Sequence, residues 1–374
     1  MGGLATEIGD GIHTTPNYED NGNYYFINGN NISETGIIIT PTTKRVTKEE
    51  AYKNKAAVLH SNTILLSING TIGNVALYNN EPIMLGKSAC YINVSSKTNR
   101  HYVFHYLQIP KCQSYFTLEL TGTTIKNLSL QSIRKTRIAL PILDEQNKIA
   151  TFLSLLDERI ATQNKIIEEL KQLKNGIIET HYKQVKKKEV SIKELGKSFS
   201  VGNLSKEDLS IKGKPCVLYG ELFTTYGETI NQIKSYTEKE EGIILSKKGD
   251  LLFPSSTTVD AISLIAPSVI NIDDVVLGGD MFGIRINAQF NSQYLSYFFN
   301  HIAKRKLAKY AKGSTIIHLH YKDIEKAKLL LPCLEEQNKM AQYLIALDEK
   351  IEIETTYITS LDHQKQYLLR QMFI

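Results

Sequence analysis

At 374 residues the chain is long enough for two domains of about 140 residues each, with some 90 residues over for extended helix. It is 42% hydrophobic and 22% charged, with 44 Lys and Arg against 39 Asp and Glu, a mildly basic balance that is compatible with nucleic acid without requiring it. No apolar run reaches the ~18 residues of a membrane span, no signal-peptide pattern opens the chain, and Cys90, Cys112, Cys216 and Cys333 show no CxxC spacing. The expectation is a cytoplasmic chain with reduced thiols and no membrane contact.

The first globular stretch opens with turn-rich sequence, Gly9-Asp10-Gly11 and Thr14-Thr15-Pro16, followed by a strand-like Tyr24-Tyr25-Phe26-Ile27. Asn28-Gly29-Asn30-Asn31 is a turn signal, and Gly36-Ile37-Ile38-Ile39-Thr40 reads as a β-branched strand. Thr63 to Ile68 predicts a buried strand closed by Asn69-Gly70, and the run from Thr71 to Leu77 predicts its partner. An amphipathic helix is expected at 101–107, and Gly122-Thr123-Thr124-Ile125-Lys126 as an exposed loop.

From Leu140 the sequence reads Leu-Pro-Ile-Leu-Asp-Glu-Gln-Asn-Lys-Ile-Ala, and 191 residues later, from Leu331, it returns as Leu-Pro-Cys-Leu-Glu-Glu-Gln-Asn-Lys-Met-Ala. Thirteen positions agree between 140–160 and 331–351, so the chain is an internal duplication. Each copy carries apolar residues on alternating four- and three-residue steps. The first runs Ile149, Leu153, Leu156, Ile160, Ile167, Leu170, Ile177; the second runs Met340, Leu344, Leu347, Ile351, Ile358, Leu361, Leu368, Met372. Gln163 and Lys174 interrupt the first seam, Glu354 and Lys365 the second. A 3.5-residue repeat sustained this long predicts a coiled coil, and two copies in one chain favour antiparallel self-pairing about a pseudo-twofold.

The stretch between the helices repeats the first with weaker identity. Gly202 matches Gly11, Gly220-Glu221 matches Gly29-Asn30, Gly249 to Phe253 plays the part of Asn62 to Leu66, a helix at 294–310 replaces 101–116, and Gly313-Ser314-Thr315-Ile316-Ile317-His318 matches the Gly122 loop. Val190 to Leu195 reads as a first strand that the first globular unit lacks. The expected fold is α/β (α+β): domain 1–140, helix 141–188, domain 189–331, helix 332–374. Matched helices beside diverged domains imply one shared task and two versions of another.

Catalytic patterns are absent. There is no Asn-Pro-Pro-Tyr or Asp-Pro-Pro-Tyr stretch, and Leu85-Gly86-Lys87-Ser88 imitates the end of a P-loop with Glu81 where the first glycine belongs. His101 with His105, and His318 with His320, lack a third ligand for a metal. Glu168-Glu169-Leu170-Lys171 lies on the helix as a solvated face, and Lys186-Lys187-Lys188 as a solubilising linker. Candidate DNA contacts are Thr14, Asn28 and Asn30, then Thr123, Thr124 and Lys126, and in the second unit Glu221, Ser314, Thr315 and His318. Lys304 and Arg305, with Lys306, Lys309 and Lys312, form a phosphate rail. The plain alternative for the loop positions is ordinary turn chemistry.

The two Leu-Pro-x-Leu-x-Glu-Gln-x-Lys-(Ile/Met)-Ala segments, each followed by Leu-Asp-Glu and a long helix, resemble those of the specificity subunits of type I restriction–modification enzymes, over the whole chain. The resemblance implies two target-recognition domains that read a split site in double-stranded DNA, with the helix pair setting the unread spacer. It implies as partners two modification subunits, which carry S-adenosylmethionine and methylate adenine, and a restriction subunit that cuts with ATP and Mg²⁺. No cofactor and no catalysis are expected on this chain. The rival readings are a scaffold whose two globular units bind proteins, and a self-sufficient nuclease or methyltransferase.

Overall fold

The computed structural model describes residues 1–33, 35–54, 58–124 and 126–373, and the chain divides into two compact units. Unit 1 is Met1–Ile166 with Glu354–Ile374, and unit 2 is Ile167–Ile353. Each unit therefore contains one globular domain and part of both long helices, Leu143–Gln184 and Leu334–Gln371. Both helices start two residues after a proline, with Asp144 and Glu145, or Glu335 and Glu336, in the first turn, where a carboxylate favours the helix dipole.

In unit 1 a four-stranded antiparallel sheet has the order Ala5–Asp10, Ala89–Val94, Thr63–Ser67, Val75–Leu77. Thr63–Ser67 is buried at all five positions, and its two hydroxyls are satisfied internally, Thr63 Oγ1 donating to Asn93 Oδ1 at 2.6 Å and Ser67 Oγ to Asn69 O at 3.2 Å. A second sheet sets Tyr24–Ile27 parallel to Ile83–Leu85 and antiparallel to Arg45–Val46. Unit 2 has the same plan enlarged. Gly196–Ser200, Met281–Ile286, Asp250–Pro254, Ser268–Ile270 and Thr229–Ile230 form one sheet, and Lys214–Leu218 lies parallel to Val276–Gly278 in the other. The duplication thus extends to strand pairing, including the parallel pair.

Several elements differ from what the sequence predicts. Only Gly36–Ile37 of the 36–40 run pairs, and only Val75–Leu77 of the 71–77 run, because Gly73 turns the chain at φ +95°. The Val190 to Leu195 stretch is split: Lys188–Ser191 is a strand, and Ile192–Leu195 is a helical turn held by a capping box in which Ser191 and Glu194 satisfy each other's backbone. The helix at 294–310 is broken into Ser292–Phe298, a π-helical turn Phe299–Ala303, Lys304–Leu307 and a 3₁₀ turn. The wide turn accompanies burial of consecutive aromatics: Phe298 stacks on Tyr294 while Phe299 meets Phe253 edge-on. Lys187 is no free linker; its Nζ donates to the carbonyls of Tyr182 and Val185 and so caps the first long helix. No helix of the described residues is long and apolar enough to cross a membrane.

Within each unit the two helices pack antiparallel. In unit 1, Arg159 lies over the Tyr357 ring and Gln163 donates to Glu354; in unit 2, Lys174 meets Asp348 and His181 meets Glu336. Ile149, Leu153, Leu156, Met340 and Leu344 are buried on the seam, and Ile160, Leu347 and Ile351 are half-buried.

Candidate nucleic-acid interface

The repeated Glu-Gln-Asn fastens each globular domain to its helix. Gln146 is 2% exposed; its Oε1 accepts from Asn99 N at 3.0 Å and its Nε2 donates to Pro141 O at 2.8 Å. Asn147 Oδ1 accepts from Asn99 Nδ2 at 2.7 Å. The second copy repeats every bond: Gln337 accepts from Asn291 N at 2.9 Å and donates to Pro332 O at 2.9 Å, and Asn338 accepts from Asn291 Nδ2 at 2.8 Å. Asn99 and Asn291 also cap the following helices through Tyr102 N and Tyr294 N. A buried amide that uses both ends fixes position and direction, so the joint is rigid in each unit. Asn99 and Asn291 escape the sequence reading because the pair is visible only once the glutamine is seen to point at the domain.

Further along the helices a second joint recurs. In unit 2, Lys174 Nζ lies 2.6 Å from Asp348 and 3.2 Å from Glu228, and 4.8 Å over the Tyr297 ring, whose hydroxyl donates to Asp348 at 2.6 Å. Burial alone would raise the Glu228 pKa, but the His301 hydrogen bond and the Lys174 charge outweigh it and hold it at about 2. In unit 1, Lys365 lies 2.8 Å from Asp157, whose other oxygen is 3.8 Å from His105. His105 is wholly buried; burial, then Lys365 and His101, hold its pKa down at about 3, and its Nδ1 has no hydrogen-bond partner.

With the domains fastened, their exposed polar loops are what remains for a ligand. In unit 1, Asn28 and Asn30 line a hollow of about 370 Å³ together with Tyr18, Thr40, Thr43 and Lys44. Asn30 is exposed, whereas Asn28 Oδ1 accepts from Ser88 Oγ at 2.9 Å. That serine ends the P-loop-like stretch, which here is a strand and a turn. Lys44 stands 5.9 Å over the Tyr18 ring, and neighbouring Arg45 lies 4.8 Å over Tyr25. Cations on aromatic faces suit phosphates and stacked bases, yet the threonines and Tyr18 carry no motif that sequence reading could have used. Thr14 is exposed outside this lining.

The Gly122 loop is the tip of a hairpin, Leu120–Thr121 against Asn127–Leu128, with Gly122 at φ +90°. Thr123, Thr124 and Lys126 are exposed, and Ile125 lies outside the described residues. The matching loop of unit 2 returns on itself, Lys312 and His318 exchanging backbone bonds of 2.9 and 2.7 Å around Gly313 at φ +117°. Ser314 and Thr315 are exposed at its tip; His318 is half-buried, pairs with Ser256 and stacks on His320. Arg305, Lys306 and Lys309 are exposed and Lys304 half-buried, while Lys312 is held by Asp323 at 2.5 Å. Glu221 is the most committed candidate, its oxygens accepting from Leu218 N at 2.8 Å and Ser235 Oγ at 2.6 Å. Among the described residues no group of three or more His, Cys, Asp or Glu is placed to hold a metal.

The profile of the family described as "Type I restriction modification DNA specificity domain" matches residues 6–172 and 184–363. The chain is similar to the type I restriction enzyme MjaVIII specificity subunit of Methanocaldococcus jannaschii, 25% identical over 349 residues that cover 84% of this chain and 79% of that one. It is likewise 25% identical over 327 residues to the putative MjaX specificity subunit of the same organism, covering 80% and 73%. Among solved structures it is like the type I restriction–modification S subunit from M. genitalium, at TM-score 0.62 and 18% identity over 100% of this chain and 94% of that one, a likeness of fold.

Proposed function

Because the chain belongs to the family of type I restriction–modification DNA specificity domains, we propose that it is the sequence-reading subunit of such a complex and performs no turnover itself. Each globular domain reads one half of a bipartite duplex site through its exposed loops: in unit 1 the Asn30–Lys44 hollow and the Gly122 hairpin, in unit 2 the Gly313 hairpin and the Lys304–Arg305 face. The observation that carries this is the contrast between the joints and the loops. Gln146 and Gln337 make the same bonds in both units, while the loops they hold in place differ at most candidate contact residues, Asn28, Asn30 and Lys126 of unit 1 standing where unit 2 has Tyr219, Glu221 and Ile317.

Two modification subunits bringing S-adenosylmethionine, and a restriction subunit using ATP and Mg²⁺, are the partners this reading implies. The long helices then set the unread spacer, one helical turn of about 5.4 Å corresponding to one or two base pairs. The test is binding of the purified chain, alone and with modification subunits, to duplexes carrying the methylated-adenine motif mapped in the source genome. Scrambling either half should abolish specific binding, and log affinity should fall linearly with log salt. Binding indifferent to both halves, or methylation or cleavage by the chain alone, overturns the proposal.

A further inference from the structure

The strand Thr63–Ser67 of unit 1 and its equivalent in unit 2, Asp250–Pro254, are each followed by a loop to the next antiparallel strand, and the two loops differ in length. In unit 1 the loop covers 68–74, and its Ile72 is half-buried against the domain core. In unit 2 it covers 255–267 and includes a helical turn, Ala261–Leu264, with no counterpart in 68–74. Asp260 holds that turn: its Oδ1 accepts from Ile262 N and Ser263 N, both at 2.8 Å, and its Oδ2 from Ser263 Oγ at 2.7 Å. Leu264 and Ile265 are buried in the core, and the turn so anchored leaves Val259 73% and Ile262 46% exposed.

These apolar side chains stand beside the Gly313 hairpin and the broken basic helix. Ser256–Thr257 pairs antiparallel with Ile317–His318, Thr257 opposite Ile317. Val259 therefore lies two residues beyond the last pair on one side, and Ile316, 49% exposed, one residue beyond it on the other. The Ala261–Leu264 turn also lies against Lys304–Leu307 and Ala308–Tyr310, where Arg305 and Lys309 are exposed. The carboxylates at this place are already engaged, since Asp260 holds its own turn and Asp323 holds Lys312. What projects is an apolar tip with cations at its side.

We propose that Val259 and Ile262 read the 5-methyl groups of thymine in the major groove of the half-site held by unit 2, an inference that rests on the DNA-reading function proposed above. Exposed cations beside the turn suit a polyanion, and the thymine methyl is the apolar group that a duplex displays on its major-groove edge. That groove, about 12 Å wide, admits a two-stranded ribbon with strands ~4.8 Å apart. The Ser256–Thr257 and Ile317–His318 ribbon can thus carry the turn to the base edges while Arg305 and Lys309 meet phosphates at its flank. The Gly313-Ser314-Thr315-Ile316 tip matches Gly122-Thr123-Thr124-Ile125 of unit 1, so the longer loop is what sets unit 2 apart. Unit 1 offers an exposed amide, Asn30, where unit 2 offers apolar contact, two chemistries for two different half-sites.

The test uses the full chain assembled with modification subunits and a duplex carrying the mapped methylated-adenine motif. Each thymine of either half is replaced in turn by deoxyuridine, which removes the methyl and keeps the base pair. One or two replacements, confined to one half, should each weaken binding about fourfold, the worth of one buried methyl-sized group. Val259→Ser and Ile262→Ser alter exposed positions, so circular dichroism and the unfolding midpoint should stay unchanged. Each variant should bind the thymine duplex more weakly, with one of those uracil replacements now silent and the salt slope intact. Binding that tells the site from scrambled DNA yet ignores uracil in both halves overturns the proposal and leaves the DNA-reading function standing. Binding indifferent to sequence overturns both. Uracil effects that persist in both serine variants place methyl recognition elsewhere and overturn the proposal. Unchanged base discrimination by the variants with loss of the modification subunits assigns the turn to a protein contact and overturns it equally.

Discussion

Lys174 lies 2.6 Å from Asp348 in unit 2, and the residues 191 positions away, Lys365 and Asp157, form the same pair at 2.8 Å in unit 1. In sequence both lysines look like blemishes in an apolar seam. In the structure each is nearly buried, 8% and 12% exposed, and each links a helix–helix contact to a globular domain. The two pairs differ in their third partner. Glu228 adds a second carboxylate in unit 2, whereas unit 1 presents the neutral His105 and the Gln108 amide, 3.3 Å from Lys365.

That difference predicts unequal costs. Lys174→Met takes from Asp348 and Glu228 the cation they share and should destabilise by about 3–5 kcal/mol. Lys365→Met strands only Asp157, one carboxylate instead of two, so its cost should be smaller. Urea unfolding of the two variants checks the order. Equal costs would mean that Glu228 takes no part in holding Lys174.

The Gln146 and Gln337 joints predict a second effect. Replacing either by Ala leaves a buried Asn N–H and a proline carbonyl unpaired, at about 1–3 kcal/mol per group. Gln146→Ala should speed amide exchange at Asn99 and Tyr102 and leave Asn291 unchanged, and Gln337→Ala should do the reverse. Exchange mass spectrometry reads both.

Which parts of this were legible in the sequence follows from how local their causes are. The helices declare themselves because an apolar residue every 3.5 positions leaves a periodic trace, and the Gly122 and Gly313 tips because a left-handed backbone calls for glycine. The helical turn Ile192–Leu195 was equally local, written as Ser191-x-x-Glu194, and is hidden only by the apolar run around it. The contacts of Lys174 were not legible, since antiparallel helix packing brings Asp348 to it, and the Gln146–Asn99 contact was not, since it forms only when the globular domain docks on its helix. The lining of the Asn30 hollow depends on two loops meeting, and Tyr18, Thr43 and Lys44 look like ordinary surface residues until they do.

Acid should act on unit 1 before unit 2. The folded-state pKa of His105 is held near 3 by burial against an ordinary value of 6.5, with Lys365 and His101 adding to the effect; the Asp157 carboxylate lies 3.8 Å away. Below 6.5 the unfolded chain takes up a proton that the folded chain refuses, so stability falls as pH drops from 6.5 toward 3. Glu228, held at about 2 against 4.5, contributes stability that is lost only as pH falls below 4.5. Between pH 6.5 and 4.5 the native chain should lose roughly 2–3 kcal/mol that His105→Gln does not lose. Parallel pH profiles of urea stability for the two proteins would exclude His105 as the group responsible.

DNA binding should separate positioning residues from reading residues. Lys44 and Arg305 are cations without an ion-pair partner among the described residues, one beside the Asn30 hollow and one on the broken helix of unit 2. If each neutralises one phosphate, Lys44→Gln and Arg305→Gln should each reduce the slope of log affinity against log salt by about 0.9, whatever the bound sequence. Asn30 presents an amide that can pair with the adenine edge, so Asn30→Ala should leave the salt slope intact and relax discrimination at one base pair by about 1–3 kcal/mol. Titration of the three variants against the cognate duplex and single-base variants, at several salt concentrations, distinguishes the outcomes. An unchanged slope for Lys44→Gln places phosphate contact elsewhere in unit 1, and unchanged base preference for Asn30→Ala takes the hollow out of base reading and leaves the Gly122 hairpin as that unit's reader.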